Sequence, residues 1–554
     1  MSSEAAAVDS GANLVIRNAV LWDGMERLDA DSLVVTDGIL AEVGYDVASS
    51  SAHEVVDARG GLVTPGFVDA HAHPVMAGVE ALSLDVSACD SAQETLRQIG
   101  SALQAGSGWL TGGGWSMSDF PGGAPTAAAL DRLAMDLGEA AARRPVCLVS
   151  ADHHSLWVNS VALRCAGIDR ATDVPEGGVI ERDTHGEPTG TLHESAMDLM
   201  SAHLPTRTPA ELRAGLLEGQ RRLHEVGVTG YNDAIVGDYG GHTSAYDTYR
   251  QAELDGDLTV EVTASLWWPR GLTEDDVDQQ VAVLRGQKVD GPRFRATNVK
   301  FMLDGIVESR TASMSAPYRC DCAGEGTSYF TRNHLRRAFA AVEAAGFDIH
   351  CHAIGDRATR DALDALEGIV SARRRSDVRH HLAHVQVVDP RDIPRFAALG
   401  VSANLQALWA HYDDQMVALN LPLLGDDRVQ WLYPFGDLAA SGAHFAMGSD
   451  WPVSSPDPWQ AMHVAVNRTH PTGVRPEPLL AQQAIDLATA LRAYTTGSAH
   501  LGRTRTAGRW SLGAPADLAL ASSNPFTTPV DHIHEVTNAA TVAGGRLVHR
   551  AADV

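Results

Sequence analysis

The sequence predicts an α/β fold: a (β/α)8 TIM-like barrel, with a small β-sandwich domain formed by both chain ends and an insertion after barrel strand 1. Three observations predict it. The middle of the chain alternates short apolar runs with longer helical patterns, the signature of a parallel sheet. Eight such runs occur, the number a closed barrel needs. Both chain ends read differently, as short alternating strands separated by Gly/Asp turns.

Taken in order, the N-terminal strands lie in ANLVIRNAVLWDG, DSLVVTDGILAEVG and HEVVDARG, and similar ones recur in GRWSLGAPADLALASS and AATVAGGRLVHR near the C-terminus. Residues 1–64 plus 506–554 are therefore expected to form one composite β-sandwich domain, with the barrel spanning 65–505. The barrel strands are predicted in GFVDAHAH (66–73), VTGYNDAIV (228–236), TVEVTASLWW (259–268), ATNVKFMLDG (296–305), FDIHCHAIGD (347–356), RHHLAHVQ (379–386), GVSANLQA (400–407) and HFAMGSDWP (444–452). Helical patterns such as PAELRAGLLEGQRRLHEVG and RNHLRRAFAAVEAAG fall between most of them. The exception follows the first strand. Residues 75–207 are too many for one connection and carry their own turns, so they are expected to form an inserted subdomain near the active-site mouth.

Composition narrows the function classes. The 554 residues are 44% hydrophobic and 20% charged, which is ordinary globular composition. A formal net charge of −27 without any Lys/Arg run longer than the three residues Arg373-Arg374-Arg375 argues against nucleic-acid and anionic-membrane partners. No apolar run approaches the ~18 residues of a membrane span, and the opening MSSEAAAVDSGANLV lacks the pattern of a secretory signal. The expected location is cytoplasmic and the expected partner a small-molecule substrate, with a homodimer among the assemblies left open. Six cysteines make no disulfide framework, and Cys320-Asp321-Cys322 lacks the second pair a zinc site would need.

In a barrel of this type the site is built at the C-terminal ends of the strands. The polar residues at the predicted ends are His71, His73, Lys300, His350, His352, His384 and Asp450. Residues i and i+2 on a strand face the same way, so both imidazoles of His71-Ala72-His73 can reach one metal ion, as can His350 and His352. The His-x-His pattern alone is weak: three occur where composition predicts about one. The third, His532-Ile533-His534, falls in the C-terminal β region, away from the barrel. Position strengthens the other two, because a satisfied core histidine explains one such residue and not five. Imidazoles with a carboxylate suit Zn2+ or a similar divalent ion, one or two per subunit. Such ions activate water and polarise a carbonyl, while Asp450 can take the water's proton and pass it to a leaving amine.

Of the 43 basic residues only Lys288 and Lys300 are lysine. Lys288 lies in a polar loop. Lys300 sits at a predicted strand end, where arginine would serve equally well in a salt bridge. An amine with a lowered pKa can instead react with CO2 to give a carbamate, which supplies a bridging carboxylate that arginine cannot.

The chain resembles the amidohydrolase superfamily, in particular the amidohydrolase-3 branch with the YtcJ-like proteins and the N-substituted formamide deformylases. The resemblance covers nearly the whole chain and rests on TPGFVDAHAHP (64–74), GWSMSDF (114–120), DHHSLWVNSVAL (152–163), VKFMLDG (299–305), HAIGDRA (352–358), LAHVQ (382–386), GSDWPV (448–453) and GAPADLAL (513–520). It implies that His71, His73 and Asp450 hold one metal, that His352 and His384 hold the other, and that Lys300 is the carboxylated bridge. His350 matches no ligand position of the family. His154 and Asn159 match a motif of the insert and are expected at the substrate pocket. Ala514-Pro515 stands where many members carry a lysine, in a turn of the terminal β domain.

Trp115 and Phe120, Trp157, Trp267-Trp268, Trp409 and Trp451 lie in the insert or just after strands; core packing explains about half of them. The rest, foremost Trp115, Trp157, Trp267 and Trp451 together with His154, are expected to line the substrate pocket. Arg310 is the candidate anchor should the substrate carry an anion. The expected reaction is hydrolysis of a C–N bond in a small, neutral amide or formamide through a metal-activated water. Three alternatives stand beside it. The same site could serve ester hydrolysis, deamination or isomerisation; Lys300 could form a Schiff base, leaving the histidines without a role; or the scaffold could bind without catalysis.

Overall fold

The computed structural model describes residues 14–45, 47, 54–175, 177–319, 324–370 and 377–552. The Cys320-Asp321-Cys322 segment and the first 13 residues lie outside the described residues. Eight parallel strands form one sheet in sequence order: β1 (Phe67–Ala72), β2 (Val228–Val236), β3 (Glu261–Trp267), β4 (Phe294–Met302), β5 (Asp348–Ala353), β6 (His381–His384), β7 (Ser402–Leu405) and β8 (Phe445–Met447). The strands are buried on both faces, as a helix-wrapped barrel requires, and this accounts for their near-continuous apolar runs.

Several strands end earlier than the apolar runs suggest. Asp304 and Asp450 fall just past β4 and β8, where the chain has left the ladder and its side chains are free to build a site. The seam between β1 and β8 is closed beyond the last strand. There the Asp450 amide donates to the His71 carbonyl at 2.6 Å and the His73 amide to the Trp451 carbonyl at 2.8 Å. Glycine is required at 448, since a Cβ there would lie 2.4 Å from the His71 nitrogen. Asp69 locks the same seam, accepting from the His71 amide at 3.0 Å, the Ser449 amide at 3.0 Å and the Ser449 hydroxyl at 2.5 Å.

The outer helices start at their expected signals. Pro209–Glu225 opens with a capping box between Thr208 and Glu211 and with proline in its first turn. Arg332–Ala344 and Pro458–Asn467 are capped by Thr331 and Asp457.

The insert builds a six-stranded sheet with its own apolar core around Trp115, Trp157, Leu130 and Leu148. The chain ends contribute to two further sheets. One is four-stranded; the other is five-stranded and pairs Leu62–Pro65 with Leu518–Ala521. Leu14, Ile16, Leu33, Leu518, Leu520 and Val542 share one cluster. Gly66 then turns the chain directly into β1, where any Cβ would strike the Thr229 hydroxyl. No helix among the described residues is long and apolar enough to cross a membrane.

Candidate metal centre

His71 and His73 project from the end of β1 and its exit, and the turn after β8 brings Asp450 against both. The Asp450 Oδ1 lies 3.3 Å from His71 Nε2 and 3.1 Å from His73 Nε2. Asp450 and His384 both hold left-handed backbone, φ 57° and 76°, a conformation that non-glycine residues keep only where the surroundings impose it. The ligand atoms of His71, His73 and Asp450 all lie within 4.8 Å of one another. His352 and His384 form the neighbouring pair, with ring centroids 4.5 Å apart and His384 4.8 Å from His71. Trp409 stacks on His384 at 5.3 Å. Lys300, on β4, is 1% exposed and places Nζ 3.4 Å from His71 Nε2. Its ladder neighbours are Trp267 and His350.

A buried relay sets the tautomer of His71. Ser265 donates its hydroxyl to Asn232 Oδ1 at 3.0 Å, so His350 Nδ1 must be the donor to Ser265 at 2.8 Å. His350 Nε2 is then an acceptor and takes the Nδ1 proton of His71 at 2.9 Å. The His71 Nε2 lone pair is left facing the Asp450 carboxylate. His352 is oriented in the opposite sense: its Nε2–H donates to the Gly305 carbonyl at 3.2 Å, which leaves the Nδ1 lone pair free.

These donors fit a divalent ion. Burial, reinforced by the Lys300 ammonium, pushes His71 down to about 3, and burial holds His352 and His384 well below the usual imidazole range. All three are neutral, as metal ligands must be. Burial favours the protonated form of Asp450, but His71 and His73 outweigh it and hold the carboxyl well below its ordinary value. The Asp450 carboxylate stands within 3.3 Å of two imidazole nitrogens, and His384 Nδ1 is buried with no hydrogen-bond partner among the described residues, an arrangement that a cation would complete. Burial also pushes Lys300 down to about 8.

Because His350 acts on His71 through one hydrogen bond, His350→Ala is expected to weaken metal affinity about 10- to 100-fold, the usual penalty for losing an outer-shell partner. Metal titration with a competing chelator checks it, and unchanged affinity would remove the relay from the account.

Two cavities meet at His154, His352, His384 and Asp450. His154 Nδ1 lies 2.8 Å from Glu194 Oε1, and Glu194 also accepts from Tyr329 at 2.9 Å and Thr311 at 3.0 Å. Burial alone would lower His154, but Glu194 raises it to about 9, so it is an imidazolium at neutral pH. Glu194 itself is held at about 2 by His154 and Arg270, against its burial.

Of the expected pocket residues, His154 and Trp409 line these cavities. Trp115 and Trp157 are fully buried in the insert core, donating to the Leu148 and Thr126 carbonyls. Trp267 packs edge-on against Tyr239, with ring centroids 4.8 Å apart, and Trp451 is buried at the seam. Arg310 points outward toward Glu181 at 3.6 Å. Asn159 caps the helix Ser160–Ala166 and accepts from the Val146 amide, which is a structural task. The insert has an apolar core of its own to fill, and that need explains Trp115 and Trp157. Conversely, His534, placed by sequence away from the barrel, lines the second cavity. Sequence reasoning missed Asp69, Glu194, Asn232 and Asp233, which lines the first cavity; Asp69 sits on β1 two residues before His71, which was the available signal there.

The amidohydrolase family model matches residues 54–549. The chain belongs to the amidohydrolase family. Among relatives of this amidohydrolase, YtcJ of Bacillus subtilis (strain 168) is 29% identical over 94% of this chain and 96% of its own. The N-substituted formamide deformylase of Arthrobacter pascens is 25% identical, with 94% of each chain covered. A metal-dependent hydrolase from Pyrococcus horikoshii OT3 shares the fold at TM-score 0.70, with 23% identity over 94% of this chain and 99% of its own. This amidohydrolase thus carries a metal-dependent hydrolase fold whose candidate ligands are histidines and an aspartate.

Proposed function

We propose that the enzyme hydrolyses the C–N bond of a neutral N-substituted amide or formamide, releasing an amine and a carboxylic acid. The observation that carries this reading is the second cavity beside Asp450. Its wall combines Ile354, Leu408, Trp409 and Tyr433 with Asp152 and Glu308, and among the described residues it presents no lysine or arginine. Such a wall suits an apolar or aromatic N-substituent, and its cation, the His154 imidazolium, is already paired with Glu194. The similarity to the formamide deformylase supports the same class.

His71, His73 and Asp450 would hold one divalent ion; His352 and His384, with a carboxylated Lys300 between the two sets, would hold a second. Zinc is the ion that this donor set suits best. When bound, it lowers the pKa of water and polarises a carbonyl. The chain supplies the remaining steps. Asp450 accepts the proton of the attacking water at its carboxylate and delivers it to the departing nitrogen. His154, held cationic by Glu194, donates a hydrogen bond to the oxygen that gains charge. Trp409 and Tyr433 shield the substituent from water. The fold and composition accord with a cytoplasmic enzyme.

A matched pair of substrates tests the choice: N-benzylformamide is expected to exceed a charged N-acyl amino acid in kcat/KM. A strong preference for the charged compound would contradict the pocket assignment.

A further inference from the structure

A second cluster of metal-binding side chains stands in the first cavity and has no part in the chemistry above. Glu80, His153 and His242 come from three separate elements, yet their donor atoms all lie within 4.8 Å of one another. Each is positioned by a constraint of its own. Glu80 lies in the helix Pro74–Ala81, which crosses Pro209–Glu225 so closely that a Cβ on Gly78 would sit 1.9 Å from the Gly215 carbonyl oxygen. His153, in the insert, has left-handed backbone at φ 62°, which turns it away from its neighbour His154 and toward Glu80. His242 closes a tight turn through Gly240 and Gly241, with paired backbone hydrogen bonds to Tyr239 at 3.2 and 2.8 Å.

The contacts inside the cluster leave two of its polar atoms unsatisfied. Glu80 Oε2 is 3.5 Å from His153 Nε2, at the outer limit of an ion pair's useful range. Glu80 Oε1 and His153 Nδ1 are buried with no hydrogen-bond partner among the described residues. A buried carboxylate oxygen without a donor is costly, and such an atom calls for an occupant. Two imidazoles and one carboxylate are the donor set of open, three-ligand zinc sites, in which a fourth position faces the cavity.

We infer that Glu80, His153 and His242 form a separate divalent transition-metal site that joins the insert to the barrel and lines the first cavity beside the His71/His73/Asp450 set. The inference does not depend on which C–N bond the enzyme cleaves, because it concerns residues outside that machinery.

The test is zinc content in solution and zinc-edge anomalous diffraction on the full chain. The wild type and a His71→Ala/His73→Ala variant, incubated with zinc chloride and then gel-filtered, are both expected to retain zinc at this cluster. Anomalous maps of both should show a peak among Glu80, His153 and His242. In the His242→Gln and Glu80→Gln variants that peak and one equivalent of zinc per chain are expected to disappear, while the peak at His71/His73/Asp450 remains and reports a folded barrel. Absence of the peak from the wild type would overturn the site without recourse to any variant. A peak seen only in zinc-soaked crystals, with no zinc retained after gel filtration, would overturn it as well, as would a peak unaltered in both variants.

Discussion

Asp450→Asn is expected to lower kcat for an amide substrate about 100- to 10,000-fold, the range that general acid–base groups contribute. Asparagine keeps the shape of the side chain, so packing is preserved and the loss combines the missing proton acceptor with a weaker metal ligand, which the bound-metal content separates. Asparagine cannot take a proton from water at neutral pH. KM should change far less than kcat, because the pocket that receives the N-substituent is built by other residues. The barrel seam should also survive, since it is held through the Asp450 amide and through Asp69, not through the Asp450 carboxylate. Turnover within about tenfold of wild type would show that the proton travels by another route.

Lys300→Arg is expected to be as damaging, although it conserves charge. The lysine is fully enclosed and close to His71, and a guanidinium stays protonated at every accessible pH and cannot form a carbamate. Its larger planar head would also be forced against His71. Lys300→Ala should regain part of its activity when short carboxylates are supplied, because they can occupy the place of the carbamate. The pH dependence has a definite sign. Burial lowers the ammonium to about 8, so the reactive neutral amine grows as pH rises toward and past that value. Reactivation of a stripped enzyme by bicarbonate and metal is therefore expected to be faster at alkaline than at mildly acidic pH. A Lys300→Arg enzyme with wild-type turnover would make the lysine structural.

The barrel was legible because its strands are buried on both faces and its helices carry standard start signals, such as Thr208 with Pro209 and Glu211. The compact ligand set was legible for a similar reason. Period two fixes the direction of His71 and His73 on β1, and the scarcity of lysine draws attention to Lys300. What sequence could not reveal was which way side chains outside the strands point. Trp115 and Trp157 look like pocket aromatics because they lie in motifs, but the insert turns both rings into its own core. Arg310 takes a left-handed backbone that sends its side chain out toward Glu181. The relay from Asn232 through Ser265 and His350 to His71 joins β2, β3, β5 and β1, and no spacing along the chain announces a contact across four strands. His534 reaches the second cavity from a segment whose placement is set only by tertiary packing.

The central claim is that amide hydrolysis depends on a divalent ion held at the strand ends, and metal removal tests it most directly. Turnover of N-benzylformamide should be followed against bound metal, measured by elemental analysis, while a chelator strips the protein and zinc is then restored. The account predicts that activity falls with the metal and returns with it, and that His71→Ala, which loses a ligand, cannot be restored. Full turnover by a metal-free preparation would contradict it.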